Sequence, residues 1–161
     1  MVKNINQTQT IKEELLKLRR TSTKRAGGSL FHYSALCAAG DNNGMVGVGI
    51  AKSKENLRAI NKAKEKAKLN MKKILITEDE SIPHDIYIKK GAARILLKPA
   101  PKGAGIIAGG PLRVILELSG IRNISAKVIG TSNPVMNAIA VMEALTSLKE
   151  TKSYKTVKPK K

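Results

Sequence analysis

The chain has 161 residues, of which 30 are Lys or Arg and 12 are Asp or Glu, so its formal net charge is +18. A compact domain tolerates such self-repulsion badly unless a polyanion neutralises it, and nucleic acid is therefore the leading partner. The sequence contains no apolar run near the roughly twenty residues that cross a bilayer, and its first residues lack the apolar core of a secretory signal. Both features predict a cytosolic protein.

The chain begins with an arm that shows no hydrophobic periodicity. Residues 1–10 are rich in Asn, Gln and Thr, and we expect them to be disordered or to drape over a partner. The fold is expected to begin near Ile11. Residues 13–21 fit a helix or a strand, while the polar stretch Thr21–Ser29 contains a glycine pair and predicts a loop that connects a hairpin. The following strand is predicted over Ser29–Ala39.

A tight turn and a glycine-rich strand come next. Gly40–Gly44 consists of residues that tolerate a positive φ, and Val46–Ala51 is the predicted return strand. Alternation along this strand puts Gly47, Gly49 and Ala51 on one face. Because only small residues stand on that face, we expect the next helix to lie close against it.

Residues 52–73 predict a strongly basic helix. They hold nine Lys or Arg residues against two acids, so ion pairs within the helix cannot neutralise it. Ser53 is the predicted N-cap. A narrow apolar stripe is predicted to face the sheet, formed by Leu57, Ile60, Ala63, Ala67 and Met71. A helix that binds a membrane surface carries larger apolar side chains, so this stripe favours nucleic acid over a membrane.

A second group of elements is predicted after residue 73. Short strands are expected at Ile74–Thr77, Ile86–Ile88 and Ala93–Lys98. The acidic residues Glu78–Glu80 lack the spaced oxygen ligands of a calcium loop, so we interpret them as a solvated turn. Prolines and glycines then interrupt regular structure over residues 99–105.

Two helices separated by a strand complete this second group. Gly109-Gly110-Pro111 is predicted to open the first helix and Gly120 to close it, with a strand over Ile124–Ile129. Asn133-Pro134 opens the last helix, which is expected to run to about Leu148. The predicted inward residues of this helix are Val135, Ile139, Met142 and Leu145. Residues 149–161 add six lysines and are expected to form a disordered basic tail.

This order of elements predicts an α+β protein with two domains, each a sheet covered by helix on one face. The predicted domains are residues 11–73 and residues 74–148. The arm at residues 1–10 and the basic tail at residues 149–161 flank them.

The basic side chains are the main functional signal. Aromatic residues are scarce, so base stacking is a minor theme and contacts to the phosphates of folded, double-helical RNA are favoured. Three basic surfaces are expected, namely the loop around residue 24, the helix over residues 52–73, and the tail. The residues predicted to bind RNA are Arg19, Arg20, Lys24, Arg25, Lys52, Lys54, Arg58 and Lys62.

Side chains suited to catalysis are few. His32 lies in a strand pattern, His84 lies in a loop, and neither has a partner at metal-ligand or triad spacing; Cys37 is interpreted as a core thiol. We therefore predict no enzyme activity, no cofactor and no metal site.

One segment keeps a competing hypothesis open. Residues 103–108 fit the loose G-x-G-x-x-A form of the dinucleotide fingerprint, but the sequence shows neither a parallel βαβ unit nor an acid about twenty residues later. A nucleotide-dependent enzyme that uses the Gly103–Gly110 loop remains an alternative. A second alternative is a free-standing regulator that binds double-stranded RNA.

Three long blocks of sequence resemble a known family. GGSLFHYSALCAAGDNNGMVGVGIAKSKE, GAARILLKPAPKGAGIIAGGPLRVILELSGI and GTSNPVMNAIAVMEAL are similar in order and spacing to the bacterial-type small-subunit ribosomal protein five. The resemblance implies a double-stranded-RNA-binding-like N-terminal domain, followed by a C-terminal β/α two-layer sandwich. It also implies a structural constituent of the bacterial or organellar ribosome that binds small-subunit rRNA.

The resemblance further implies roles for individual segments. Thr21–Gly28 matches the family's extended loop, which supports translational accuracy and head movement. From the residues themselves, Gly27, Gly28, Gly40 and Gly44 are predicted to lie in the loop and the turn. Contact with small-subunit protein four is implied for Gly105, Gly109, Gly110 and Arg113. Contact with protein eight, and a position near the path by which messenger RNA enters, are implied for the protein as a whole.

Overall fold

A computed structural model describes residues 11–149 of the chain. The predicted arm at residues 1–10 and the predicted tail beyond Lys149 lie outside the described residues. Within residues 11–149, no helix is both long enough and apolar enough to cross a membrane.

The first sheet consists of the strands β1 (Lys12–Arg25), β2 (Gly28–Gly40), β3 (Met45–Ser53) and β4 (Lys72–Lys73). They are antiparallel and lie in the order β1-β2-β3-β4. The helix at Asn56–Leu69, α1, connects β3 to β4. The ambiguous residues 13–21 thus form a strand, because their backbone pairs with β2 on both sides of a bulge at Leu16.

The predicted hairpin connection within Thr21–Ser29 is confirmed, but the predicted length of its loop is wrong. Both segments continue as paired strands, with Arg25 opposite Gly28, so the turn shrinks to Ala26–Gly27. All residues from Thr21 to Ser29 are exposed. Polar composition indicated exposure here, but exposure does not prevent two strands from pairing through their backbones.

The small-residue face of β3 packs against α1, as predicted. Ala59, Ala63 and Ala67 of the helix are fully buried against it. A Cβ added to Gly47 or Gly49 would collide with a helix carbonyl oxygen. The absence of side chains in the strand therefore sets how closely the helix approaches.

Three predictions for α1 are wrong. The helix does not extend over residues 52–73, because Lys52 and Ser53 belong to β3 and Lys72–Lys73 form β4. Leu57 is 74% exposed. It precedes Ala59 by two residues, about 200° around the helix, so it cannot share the buried stripe. The N-cap is Glu55, which makes no side-chain cap bond, while the Ser53 hydroxyl accepts from the Glu55 N–H at 3.4 Å just outside the helix.

The second sheet consists of the strands β5 (Ile86–Lys90), β6 (Ala93–Pro99), β7 (Ile106–Ile107) and β8 (Ile124–Ile129). Their order is β5-β6-β8-β7, and all neighbours are antiparallel except the parallel pair β7 and β8. Two helices belong to this part of the chain, α2 (Pro111–Ser119) and α3 (Pro134–Thr146).

The predicted ends of α2 and the predicted start of α3 are confirmed. Gly120 closes α2 in the left-handed region at φ 90°, a conformation that favours glycine. The Asn133 side chain accepts from the Val135 N–H at 3.1 Å and so caps α3. Proline occupies the first turn of each helix.

Two other predictions for this part of the chain are wrong. Ile74–Thr77 forms no strand, because its amides bond singly to turns: Ile74 N–H donates to the Gly44 carbonyl at 2.7 Å and Thr77 N–H to the Ser81 carbonyl at 3.0 Å. Ile139 is 37% exposed although it was predicted to face inward. The buried face of α3 is formed by Asn137, Ala138, Ala140, Val141, Ala144 and Leu145.

The elements stack in four layers, in the order α1, first sheet, α2 with α3, second sheet. Leu36 and Val46 of the first sheet share one core with Leu112 of α2 and with Ile95 and Leu97 of the second sheet. The first sheet is thus covered on both faces, which corrects the prediction of one covered face. The domain boundary between residues 73 and 74 stays a prediction.

Candidate nucleic-acid interface

The hairpin of β1 and β2 projects beyond the rest of the first sheet. The last residue of β3, Ser53, pairs with Tyr33, and Tyr33 pairs with Arg20 on β1. Beyond this row only two strands remain. Five further residues per strand at about 3.3 Å each give a projection of roughly 17 Å before the turn.

Alternation divides the four predicted loop cations between the two faces of this hairpin. Arg20 and Lys24 lie on the face toward α1, whereas Arg19 and Arg25 lie on the opposite face. The Arg20 guanidinium carbon is 4.3 Å from the centre of the Phe31 ring, which is 40% exposed. A cation over an aromatic face is attracted by the ring quadrupole, so Phe31 orients Arg20 on the surface.

Lys52 joins the cations of the face that carries Arg19. The register sets Arg19 opposite Ser34 and Ser34 opposite Lys52 in one row across three strands. Two strand spacings separate the two cations by roughly 10 Å. Residues far apart in sequence thus form one basic row at the base of the hairpin.

Three predicted cations differ in their surroundings, namely Lys54 just before α1 and Arg58 and Lys62 within its first two turns. Arg58 pairs with Glu55 at 2.9 Å, and both side chains are largely exposed. Lys54 and Lys62 are exposed, and no ion pair involves them within residues 11–149. An exposed pair of this kind contributes little to stability, so Arg58 stays available to a phosphate.

Sequence reasoning missed Glu13, which neutralises part of α1. Its carboxylate binds the ammonium groups of Lys68 and Lys64, the latter at 3.2 Å. The Lys68 hydrogen bond is the main reason that the pKa of Glu13 is lowered, with Lys64 adding to the effect. Two of the helix's lysines therefore tie it to β1 instead of facing a partner.

Cys37 fits its predicted role as a core thiol. It is fully buried between the first sheet and α1, and burial raises the pKa of its thiol. His32 is half-buried in β2, as predicted. No cluster of metal-binding side chains occurs within the described part of the chain.

The turn Gly40–Gly44 holds the first sheet against α2. A Cβ on Gly40 would collide with the backbone of Leu118, and the Asn42 N–H donates to the Leu118 carbonyl at 3.0 Å. The Asp41 carboxylate accepts from two turn amides, those of Asn43 at 2.8 Å and Met45 at 2.9 Å. Gly40 and Gly44 were predicted from turn geometry alone, and the close approach of α2 adds a second reason for glycine at position 40.

The glycine loop between β6 and α2 is held by Asn123, another residue that sequence reasoning missed. Asn123 is 4% exposed, its Oδ1 accepts from the amides of Gly103 at 3.0 Å and Gly105 at 3.3 Å, and its Nδ2 donates to the Asp79 carbonyl at 2.8 Å. Gly109 and Gly110 are exposed beyond this anchor. No pattern in the sequence marks a lone asparagine for this task.

Arg113 lies on the first turns of α2, away from the hairpin. It lines a cleft of about 590 Å³ between the two sheets, together with Lys12, Glu117 and Arg122. The four residues predicted to contact a neighbouring protein thus occupy one loop and the start of the adjoining helix. They are separate from the eight predicted RNA-binding residues.

The prediction that the chain lacks a parallel βαβ unit is wrong. The structure does contain a parallel βαβ unit, formed by β7, α2 and β8. However, Gly103 and Gly105 precede β7 instead of standing between a strand and a helix, and no acid occurs from Ile121 to Thr131. The glycines therefore serve the loop's own turn, with φ of 93° and 76°.

Comparison with known proteins gives matches along most of the chain. The family described as "Ribosomal protein S5, N-terminal domain" matches residues 11–75, and "Ribosomal protein S5, C-terminal domain" matches residues 88–158. A "Small ribosomal subunit protein uS5" of Chlamydia pneumoniae is 43% identical over 146 residues, which cover 91% of this chain and 88% of that protein.

Relatives from other lineages match to a similar extent. The "Small ribosomal subunit protein uS5c" of Cyanophora paradoxa is 42% identical over 85% of this chain and 81% of its own length. The uS5 protein of Methylococcus capsulatus is 40% identical over 89% of this chain and 84% of its own length.

Proposed function

The chain belongs to the ribosomal protein S5 family, and on that premise we propose how its surfaces divide the work of a small-subunit constituent. As a member of this family it is a structural, non-enzymatic protein of the small ribosomal subunit, in a bacterial or organellar ribosome, and it binds rRNA there alongside other ribosomal proteins. We propose which of its residues make these contacts.

The projecting hairpin is proposed as the principal rRNA contact. Arg20 and Lys24 on one face, and Arg19 and Arg25 on the other, allow it to enter between two phosphate backbones and bind both. The observation that carries this proposal is that the hairpin extends roughly 17 Å beyond β3 with every residue from Thr21 to Ser29 exposed. An isolated, exposed hairpin has no part in the protein's own core, so its cations serve a partner.

Lys52, Lys54, Arg58 and Lys62 are proposed to extend this contact along the base of the hairpin and the start of α1. Each Lys or Arg that neutralises a phosphate releases a counterion. Binding is then mainly electrostatic, and it follows the shape of helical RNA more than its sequence. A hairpin fixed in this way supports translational accuracy and head movement, since its position depends on the RNA on either side.

Gly105, Gly109, Gly110 and Arg113 are proposed to contact small-subunit protein four. The support is that Gly109, Gly110 and Arg113 are exposed, while Asn123 holds the start of the loop in a defined position. Contact with protein eight, and a position close to the incoming messenger RNA, belong to the same proposal. Replacing Arg113 by Glu is expected to weaken co-purification with protein four and to leave rRNA binding unchanged.

The hairpin proposal is tested with two variants that remove the same charge. Lys24→Gln/Arg25→Gln is expected to weaken binding to duplex rRNA fragments and to lower the salt slope by about two units, one for each lost phosphate contact. Lys90→Gln/Lys102→Gln, at exposed positions away from the hairpin, is the control. Equal losses in both variants would mean that net charge alone drives binding, and the hairpin proposal would be wrong.

The assembled particle provides the functional readout. The hairpin variant is expected to co-sediment less with small subunits, or to raise misreading where it still assembles. Normal assembly together with normal accuracy would contradict the proposed role of the hairpin.

A further inference from the structure

The second sheet has an outer face that carries none of the eight residues predicted to bind RNA. Helices α2 and α3 cover its inner face, where Ile95 and Leu97 are fully buried. By alternation, the outer face carries four basic residues, Lys89, Arg94, Lys98 and Lys127. Interleaved with them are four apolar or aromatic residues, Tyr87, Leu96, Ile107 and Ile129.

No element formed by residues 11–149 covers this outer face. Tyr87 is 57% exposed, Ile107 60% and Ile129 40%. The four cations make no ion pair with any described residue, and the paired rows contain no acid. Lys90, by contrast, belongs to the inner side and pairs with Glu143 of α3 at 2.9 Å.

The arrangement of charges on the outer face costs stability in the free protein. Lys89 and Arg94 stand directly opposite each other on neighbouring strands, a placement that is unfavourable for like charges. Leu96 has Arg94 and Lys98 two residues away on its own strand and Lys127 directly across on β8. Cations around the half-buried Leu96 and the exposed Tyr87, Ile107 and Ile129 favour a ligand that is both anionic and able to cover apolar side chains.

These features indicate which kind of ligand suits the outer face. A duplex presents its phosphates and keeps its base faces stacked, so it would leave Tyr87 and Leu96 uncovered. An unpaired strand offers phosphates for the cations and base faces for the aromatic and apolar side chains. A second copy of this chain, at +18, would be repelled.

We propose that the outer face of the second sheet binds an unpaired strand of small-subunit rRNA. Tyr87 stacks on a base, while Lys89, Arg94, Lys98 and Lys127 neutralise the phosphates on either side. The inference rests on the proposed rRNA-binding function, but it adds a second contact that differs from the hairpin in the form of RNA it takes.

The test measures binding of the full chain to a short labelled single strand and, separately, to a duplex. Arg94→Gln/Lys127→Gln is expected to lower the salt slope for the single strand by about 1.4 units, from two lost contacts at about 0.7 each. Tyr87→Ala is expected to weaken single-strand binding by about ten-fold, and Tyr87→Phe to restore it. All these side chains are exposed, so the variants keep the fold.

The control is Lys90→Gln/Lys102→Gln, which removes the same charge outside the outer face. Its affinity for the single strand is expected to stay within about two-fold of that of the unsubstituted protein, as for a neutral surface substitution. If the outer-face variants bind the single strand as the control does, the inference is wrong. If they bind it normally but lose association with a purified small-subunit protein, the face serves a protein and the inference is equally wrong.

Failure of this inference is separable from failure of the hairpin proposal. Duplex binding reports on Lys24 and Arg25, and we expect the outer-face variants to leave it unchanged. A normal duplex slope in Lys24→Gln/Arg25→Gln would overturn the hairpin role, whatever the outer face does.

Discussion

The α-carbon of Gly49 in β3 lies against the backbone carbonyl oxygen of Ala63 in α1, so closely that no side chain fits between them. The same contact recurs one turn along, between Gly47 and the carbonyl of Ala67. This pair of contacts fixes the height of α1 above the sheet, and with it the position of the cations at the start of the helix.

Gly49→Ala is expected to destabilise the protein, because the added methyl group must displace the helix backbone. We expect a loss of about 3 kcal/mol. The melting temperature should fall by about 6–12 °C, measured by thermal unfolding monitored by circular dichroism. Gly27→Ala is the matched control: a Cβ there meets nothing within 4 Å, and its effect should stay within about 0.5 kcal/mol. Equal melting temperatures for the two variants would contradict the packing argument.

Glu13→Gln should reduce stability at neutral pH and have little effect in acid. The Lys68 and Lys64 ammonium groups lower the pKa of Glu13 from its usual value of about 4.5 in the folded state. The resulting stabilisation is therefore present above that usual value and is lost as the pH falls through the lowered folded pKa. We expect a difference of about 1 kcal/mol at pH 7 in urea unfolding, which decreases as the pH falls below the usual value and through the lowered folded pKa.

Glu55→Gln serves as the control for this pH dependence. The Glu55–Arg58 pair is largely exposed, so we expect its removal to have almost no effect at either pH. A stability difference for Glu13→Gln that stays constant from pH 7 to pH 3 would mean that packing, and not charge, explains the loss.

Cys37 should react with thiol reagents only when the protein opens. Its side chain is fully buried and burial raises the pKa of the thiol, so both access and thiolate content are low. Labelling with an alkylating reagent should be slow in native buffer and fast in denaturant. Rapid labelling of the folded protein at neutral pH would show that α1 detaches readily from the first sheet.

Asn123→Ala should loosen the glycine loop as well as lower stability. The change leaves the amides of Gly103 and Gly105 and the carbonyl of Asp79 without their partner, at a cost of about 2 kcal/mol. Hydrogen exchange at the two glycine amides should accelerate more than exchange elsewhere. Asn61→Ala, at an exposed position of α1, is the control. Unchanged hydrogen exchange at the two glycine amides would show that Asn123 does not anchor this loop.

Local sequence signals were sufficient for prediction wherever residues close together in the chain decide the backbone conformation. Proline and a capping asparagine predicted the start of α3, and glycine predicted the end of α2, because these residues restrict the backbone where they stand. The glycine face of β3 predicted the packing of α1 for the same reason. The extent of β1, by contrast, depends on its pairing with β2. Polar composition alone therefore led to the wrong prediction that all of Thr21–Ser29 is a loop.

The two wrong predictions of burial have a common cause. Leu57 and Ile139 are apolar and were predicted to face inward, yet both are exposed. Which face of a helix is buried depends on the sheet it meets, and in α1 the narrow row of alanines fits against the glycines while Leu57 does not. The sequence also gave no sign that α2 and α3 lie between two sheets, since that arrangement joins residues such as Leu36 and Leu112 that are far apart in the chain.

The sequence by itself determined the class of partner and the membership of the family, because net charge and long blocks of residues survive any arrangement in space. Only the tertiary structure decided which cations act together. Pairing across strands sets Arg19 in line with Lys52, divides the hairpin's four cations between two faces, and leaves Lys64 and Lys68 bound to Glu13. These relations depend on strand register and side-chain direction, which long-range backbone pairing fixes and which neighbouring residues in the sequence do not encode.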